Sequence, residues 1–270
     1  MKPIGIFDSG VGGLSVWREI VRQLPNESTL YLADQAHVPY GPRPLEEIQQ
    51  YAKGITAFLL EQGAKLIVVA CNTASGAALH ALRDTFPDTP FVGMEPAVKP
   101  AAEQTRSGVI GVIATPATFQ GDLFQTLVKR FAAQVQLKTQ ICPRLVEVVE
   151  AGETDAPATE MLLRSYLTPM VQAGIDHLVL GCTHYPFLSE TIARVVGPDI
   201  TLVDPAPAVA RQVKRLLAQH GLKEHGTEPP RHQLYTTGDN QAFTKLARQL
   251  VDYQDPVLTA IWHNGKTLHL

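Results

Sequence analysis

The stretch 66–75, "LIVVACNTAS", decides how this chain is read. Five apolar residues lead to Cys71, and the sequence then turns polar at once. A continuous β-branched run of this length marks a parallel strand covered on both faces, not a strand with one wet side. The polar residues behind it favour a helix start. "TASGAALHALRDTF" is a good amphipathic continuation. A buried strand leading into a helix is the unit of a doubly wound α/β fold. The stretch 177–186, "HLVLGCTHYP", repeats the pattern with Cys182.

Outward from these two, short apolar runs alternate with helical stretches nearly throughout. Strands are predicted over 3–8, 28–33, 66–70, 90–93, 109–114, 134–139, 176–181, 200–203, 232–236 and 257–262. Between them, 44–62 is predicted helical: Leu45, Ile48, Ala52, Ile55, Phe58 and Leu59 keep the three-to-four spacing, with Pro44 near the start and Gly63 past the end. Three motifs recur in order. "GIFDSG" at 5 resembles "GVIATP" at 111 (111 − 5 = 106), "VVACNT" at 68 resembles "VLGCTH" at 179 (179 − 68 = 111), and "EPAV" at 95 resembles "DPAPAV" at 204 (204 − 95 = 109). Near-constant offsets predict two pseudosymmetric α/β domains with mainly parallel sheets facing a shared cleft. The first domain takes 1–97 plus the returning tail 209–270, and the second takes 98–208.

Bulk properties narrow the class. The 270 residues are 45% hydrophobic and 18% charged, an ordinary globular balance, and the net charge of −3 leaves no electrostatic footprint for nucleic acid or an anionic membrane. No apolar run approaches the roughly 20 residues of a membrane span, and "KPIGIFDSG" lacks the zones of a signal peptide. Three cysteines at no framework spacing suggest reduced thiols and a cytoplasmic protein.

Ligands of open α/β sheets bind beyond the carboxyl ends of the strands, where both cysteines fall. Asn72 and Thr73 after Cys71, and Thr183 after Cys182, are suited to capping a following helix, whose N-terminus favours thiolates and carboxylates. The bland alternative is that each cysteine is strand packing, since free cysteine is among the most buried residue types. Their pairing through the repeat favours chemistry. Cys142, in "QICPRL", has no such surroundings and is read as structural. His184 is placed to tune Cys182 or exchange a proton with it. Asp8, at the end of the first strand, takes the matching part for Cys71, although Asp8 as a plain helix cap is an equal alternative. "DSGVGGLS" at 8–15 lacks the lysine and spacing of a phosphate loop; its glycines would let backbone amides approach a small ligand. In "PYGPRP" the amides around Tyr40 and Gly41 could hold a carboxylate, with a plain connecting loop as the alternative. The nine histidines show no metal-ligand spacing.

Together, "DSGVGGLSV" at 8–16, "PYG" at 39–41, "ACNTAS" at 70–75 and "GCTHYP" at 181–186 resemble the glutamate racemases, in order and over essentially the whole chain. The resemblance implies interconversion of L- and D-glutamate without pyridoxal phosphate, metal or other cofactor, supplying D-glutamate for peptidoglycan. It implies Cys71 and Cys182 as the paired proton donor and acceptor, Cys71 acting on the D- and Cys182 on the L-enantiomer. Substrate contacts are implied from Asp8, Ser9, Tyr40, Gly41, Asn72, Thr73, Thr183 and His184. "LVEVVE" points to Glu150 and "ATPAT" to Thr115 and Thr118. The family often forms homodimers. Gly76, where it often has alanine, is expected to affect packing more than chemistry. The chain begins at its first strand, so activity is expected without the peptidoglycan-precursor activator some members need. Two alternatives stay open: an aspartate racemase or related isomerase, and a non-catalytic two-domain small-molecule binding protein.

The chemistry explains the parts. Inverting an α-carbon in place takes one acid–base group for each face, and a thiol with a free pKa of ~8.5 is a competent one. Fixed donors such as Ser9, Asn72, Thr73 and Thr183 would stabilise the developing carbanion in a closed, dry site.

Overall fold

In the computed structural model, which describes residues 2–132, 134–226 and 228–270, the chain divides into two compact units. They are Met1–Met94 with Ala206–Leu270, and Glu95–Pro205.

The first unit is built on β1 (Ile4–Asp8), β2 (Thr29–Ala33), β3 (Leu66–Val69) and β4 (Phe91–Val92). The second is built on β5 (Val109–Ala114), β6 (Gln136–Ile141), β7 (His177–Leu180) and β8 (Thr201–Val203). The tail adds β9 (His232–Thr236), β10 (Leu258–Thr259), β11 (Ile261–His263) and β12 (Thr267–His269). The first sheet runs β10-β9-β2-β1-β3-β4 and the second β6-β5-β7-β8, all parallel. Each unit therefore places its first strand between its second and third, and the registers correspond. Gly5 pairs Ile67 in one sheet, and Gly111 pairs Leu178 in the other. Both glycines make room for neighbouring side chains. A Cβ on Gly5 would lie 2.8 Å from Ile67 Cδ1, and one on Gly111 would lie 2.9 Å from Ile175 Cδ1 and Met170 Cε. That shared requirement is the physical content of the "GIFDSG"/"GVIATP" echo.

Strands β1, β2 and β3 are buried at every residue, so their apolar runs need no alternation. Helices α1 (Leu14–Gln23), α2 (Leu45–Glu61) and α3 (Asn72–Thr85) belong to the first unit. Helix α2 turns Ile48, Ala52, Ile55, Phe58 and Leu59 to the core with Tyr40 and Cys71. Each such large side chain removed from water contributes about 1.5–3 kcal/mol. In the second unit Val98, Ile110, Val112, Phe124 and Val179 form the core. No helix among the described residues is long and apolar enough to cross a membrane.

The run 257–262 departs from its expectation. Strand β10 ends at Thr259, Ala260 N–H donates to Thr236 O, and β11 pairs antiparallel with β12 instead of joining the sheet. The turn between them holds Asn264 and Gly265 at positive φ (52° and 63°), as tight hairpin turns require.

Candidate functional site

Each unit gathers polar residues at the carboxyl ends of its strands. In the first, β3 delivers Cys71 directly to the N-terminus of α3. Cys71 is itself the capping residue: its backbone is extended and its Sγ accepts from Ala74 N–H at 3.4 Å. This corrects the expectation that Asn72 and Thr73 cap the helix. Both are helical and buried in its first turn. The helix dipole and the donated amide favour negative charge on the sulfur. Among the described residues, the amide oxygen and nitrogen of buried Asn72 have no hydrogen-bond partner, a costly arrangement inside a protein and one that bound ligands relieve.

Asp8 ends β1, fully buried, and its Oδ2 accepts from Gly13 N–H at 2.7 Å. That amide stands at the start of α1, so Asp8 does tether a helix entrance, as the plainer reading holds. A Cβ on Gly13 would lie 2.6 Å from Asp8 Cβ and 2.9 Å from Tyr31 Oη, and Tyr31 Oη donates to Gly10 O at 2.6 Å. Gly13 thus lets the "DSGVGG" turn fold over Asp8 and Tyr31. Ser9 is buried beside it.

Tyr40 is buried on the loop after β2, with Gly41 half-buried behind it. Its hydroxyl donates to Asp34 Oδ2 at 2.7 Å. Burial, then the Asp34 charge, then Cys71 and Asp8 push its pKa well above the ordinary phenol value. It therefore acts as a donor and never as a base. Asp34 carries no sequence motif. Its position at the carboxyl end of a parallel strand, as with Asp8, was the one available signal.

In the second unit β7 delivers Cys182, buried like Cys71. No α-helix begins there: a 3-10 turn, Tyr185–Leu188, intervenes before the helix Ser189–Val196. Thr183, expected to cap a helix, is instead a buried residue of the preceding turn. His184 is 2% exposed; its Nδ1 faces Cys182 Sγ at 3.7 Å and its Nε2 meets Glu150 Oε1 at 2.7 Å. Burial pushes the imidazole pKa down, but the hydrogen bonds and charges of Cys182 and Glu150 prevail and raise it well above the usual value. A protonated ring donates to both partners, forming a Cys182–His184–Glu150 chain. Glu150 ends the short helix Leu145–Glu150. Thr115 caps a five-residue helix, accepting from Thr118 N–H at 3.4 Å, and the two hydroxyls lie 3.0 Å apart. Cys142 is buried, its pKa pushed up to about 12 by burial and by nearby Cys182.

The sequence profile of the Asp/Glu/hydantoin racemases matches residues 4–213. The chain belongs to that family. A glutamate racemase of Roseiflexus sp. (strain RS-1) is 51% identical over 250 residues, 92% of either chain. Among solved structures of the family, Escherichia coli glutamate racemase in complex with L-glutamate and the activator UDP-MurNAc-ala is 33% identical, with a TM-score of 0.85 over 96% of this chain and 98% of that one. The glutamate racemase of Francisella tularensis in complex with D-glutamate is 29% identical, with a TM-score of 0.83 over 97% of each chain.

Proposed function

We propose that this racemase interconverts L- and D-glutamate by two-base proton transfer. One thiolate removes the α-proton, and the thiol assigned to the opposite face returns one to the carbanion. The two protein groups exchange protonation states with each turnover. Cys71 deprotonates the D-enantiomer and Cys182 the L-enantiomer, assisted by Asp8 and His184 respectively. Ser9, the Tyr40–Gly41 amides, Asn72 and Thr73 in one unit, and Thr115, Thr118, Glu150, Thr183 and His184 in the other, contact substrate. Every step is supplied by side chains, so no cofactor is called for.

The observation that carries this reading is the matched placement of the cysteines. Each follows an equivalent strand, separated by 182 − 71 = 111 residues, and each has an ionisable or dipolar assistant. The unsatisfied amide of Asn72 supports ligand recognition beside Cys71, and half-identical relatives named glutamate racemase favour glutamate over aspartate. The product would serve peptidoglycan synthesis in the cytoplasm, with the enzyme as a homodimer.

The test follows optical rotation and α-deuterium incorporation in deuterated water with both enantiomers of glutamate and aspartate. Glutamate should lose rotation and gain deuterium, and aspartate should not. Cys71→Ala and Cys182→Ala should each abolish racemisation and leave the thermal transition in place. No turnover of glutamate by the intact protein, or racemisation surviving both substitutions, would overturn the proposal.

A further inference from the structure

The carboxylate of Asp34, at the end of β2, is fully buried and saturated with side-chain donors. Oδ2 accepts from Tyr40 Oη at 2.7 Å and His37 Nδ1 at 2.9 Å, and Oδ1 accepts from Thr237 Oγ1 at 2.8 Å and Trp262 Nε1 at 2.7 Å. An ionised carboxylate offers about four acceptor sites, and an indole N–H can only donate. Each of these partners therefore fixes the carboxylate, and the carboxylate fixes them.

The partners come from far apart in the chain. His37 and Tyr40 belong to the loop between β2 and α2. Thr237 follows β9 and Trp262 lies on β11, both in the tail that has no counterpart in the second unit. The tail grips the loop at further points: Ala36 N–H donates to Thr237 Oγ1 at 3.0 Å, and Thr236 Oγ1 donates to Gln35 Oε1 at 2.9 Å. The His37 ring stacks on Tyr51 at 3.8 Å and meets Trp262 edge-on at 5.4 Å. The hairpin bearing Trp262 is seated on α2. A Cβ on Gly54 would lie 2.6 Å from Lys266 O and 2.8 Å from the Trp262 ring, and Gln50 Nε2 donates to Gly265 O at 2.7 Å.

We infer that Asp34 is a positioning residue through which the C-terminal hairpin, by the indole N–H of Trp262, sets the placement of Tyr40 and thereby the affinity of its loop for substrate. The inference rests on the reading of Tyr40 and Gly41 as part of the glutamate site. Hydrogen bonds to an ionised acceptor are roughly twice as strong as neutral ones, so loss of one donor rearranges the remaining three. Two of those three hold the 35–41 loop. The chemistry at the cysteines does not pass through Asp34, so binding should suffer and turnover should not.

The decisive variant is Trp262→Phe, which keeps an aromatic ring on α2 and deletes the donor together with the second ring of the indole. KM for both glutamate enantiomers should rise about 3- to 10-fold with kcat within about 2-fold. Amide hydrogen exchange over residues 35–41 should accelerate, while β1 and β3 stay protected. In a Tyr40→Phe background, which cuts the same linkage at its other end, Trp262→Phe should add little to KM. Unchanged KM and unchanged loop exchange would overturn the inference. So would fully additive effects in the double variant, or acceleration spread evenly over the whole first unit, which would mark Trp262 as a general stabiliser. Absence of glutamate turnover in the intact protein would instead refute the function itself. The exchange measurement, made without substrate, would still decide whether the hairpin controls the loop.

Discussion

Glu150→Gln isolates the electrostatic part of the Cys182–His184–Glu150 chain. Glutamine keeps the length of the side chain and an oxygen that can still accept from His184 Nε2, now at 2.7 Å, but the charge is gone. A hydrogen bond to a charged group contributes about 1.5–3 kcal/mol and a neutral one about 0.5–1.5 kcal/mol. The difference, on the order of 1–1.5 kcal/mol, corresponds to about one pKa unit. Glu150 is 14% exposed and His184 2%, so solvent screens little of it. Burial already pushes His184 down, with Cys182 and Glu150 together raising it well above the ordinary value. The substitution should therefore lower the His184 pKa by about one unit, measured by long-range nitrogen-15 NMR titration with His184→Asn for assignment. The limb of the kcat/KM profile that needs a protonated His184 should move to lower pH by the same amount. Stability follows the same sign. A folded-state pKa raised above the unfolded value of ~6.5 gives stabilisation that is complete below about pH 6.5 and lost as pH rises through the folded pKa. The deficit of the variant should be greatest in mildly acidic solution and vanish in alkali. A His184 pKa that stays put or rises would refute the chain as described.

Gly76 sits exposed inside α3, and a Cβ at this position would meet nothing within 4 Å, so its expected effect on packing is absent and its cost is backbone entropy. Gly76→Ala should raise unfolding free energy by about 0.5–1 kcal/mol in urea titrations without changing racemisation. Asp176 accepts from Thr105 Oγ1 and from the amides of Arg106 and Ser107. Burial would raise its pKa, but the bonds to His177, Thr105 and those amides prevail and hold it well below the usual carboxylate range. Its contribution is present above the unfolded pKa of ~3.9 and lost as pH falls through the lower folded value. Asp176→Ala should therefore destabilise at neutral pH and lose that difference in strong acid, as read by circular dichroism.

Most of the fold was legible because β1 to β5 and β7 are buried at nearly every residue, although β6 and β8 are half-buried or exposed throughout. "LIVVA" and "GVIA" carry their assignment in composition alone, and most observed strands fall within two residues of their expected places. The last run failed for the opposite reason: β10, β11 and β12 are two or three residues each and partly exposed, so burial leaves little mark on them. The Asn264–Gly265 pair, a strong hairpin signal, was present and decides that region. The cysteines, Asp8 and His184 were legible as strand-end residues, and Glu150 only through family resemblance. Its bond to His184 spans 34 residues, beyond any local pattern. Asp34 offered only its strand-end position, because its meaning comes from Thr237 and Trp262, 203 and 228 residues away.

The internal repeat gives both cysteines the same address, yet their surroundings are built from different materials, and the difference begins with where the next helix starts. After Cys71 the helix starts at once, so the sulfur caps α3 and takes its support from a backbone amide and the helix dipole. The amide and the dipole carry no titratable proton; the titratable group proposed for Cys71 is Asp8. After Cys182 the helix is delayed to Ser189 by the 3-10 turn. The Tyr185 amide donates to Cys182 O, and the sulfur is met by the side chain of His184. The residue two positions on, threonine in the first unit, is histidine in the second, and Glu150 holds its far nitrogen. This support does titrate. In the proposed two-base reaction the His184–Glu150 arm should therefore carry more of the pH dependence than the dipole at Cys71. The ratio of the Glu150→Gln and parent rates should vary with pH, and the defect of a variant that only disturbs the start of α3 should be nearly flat.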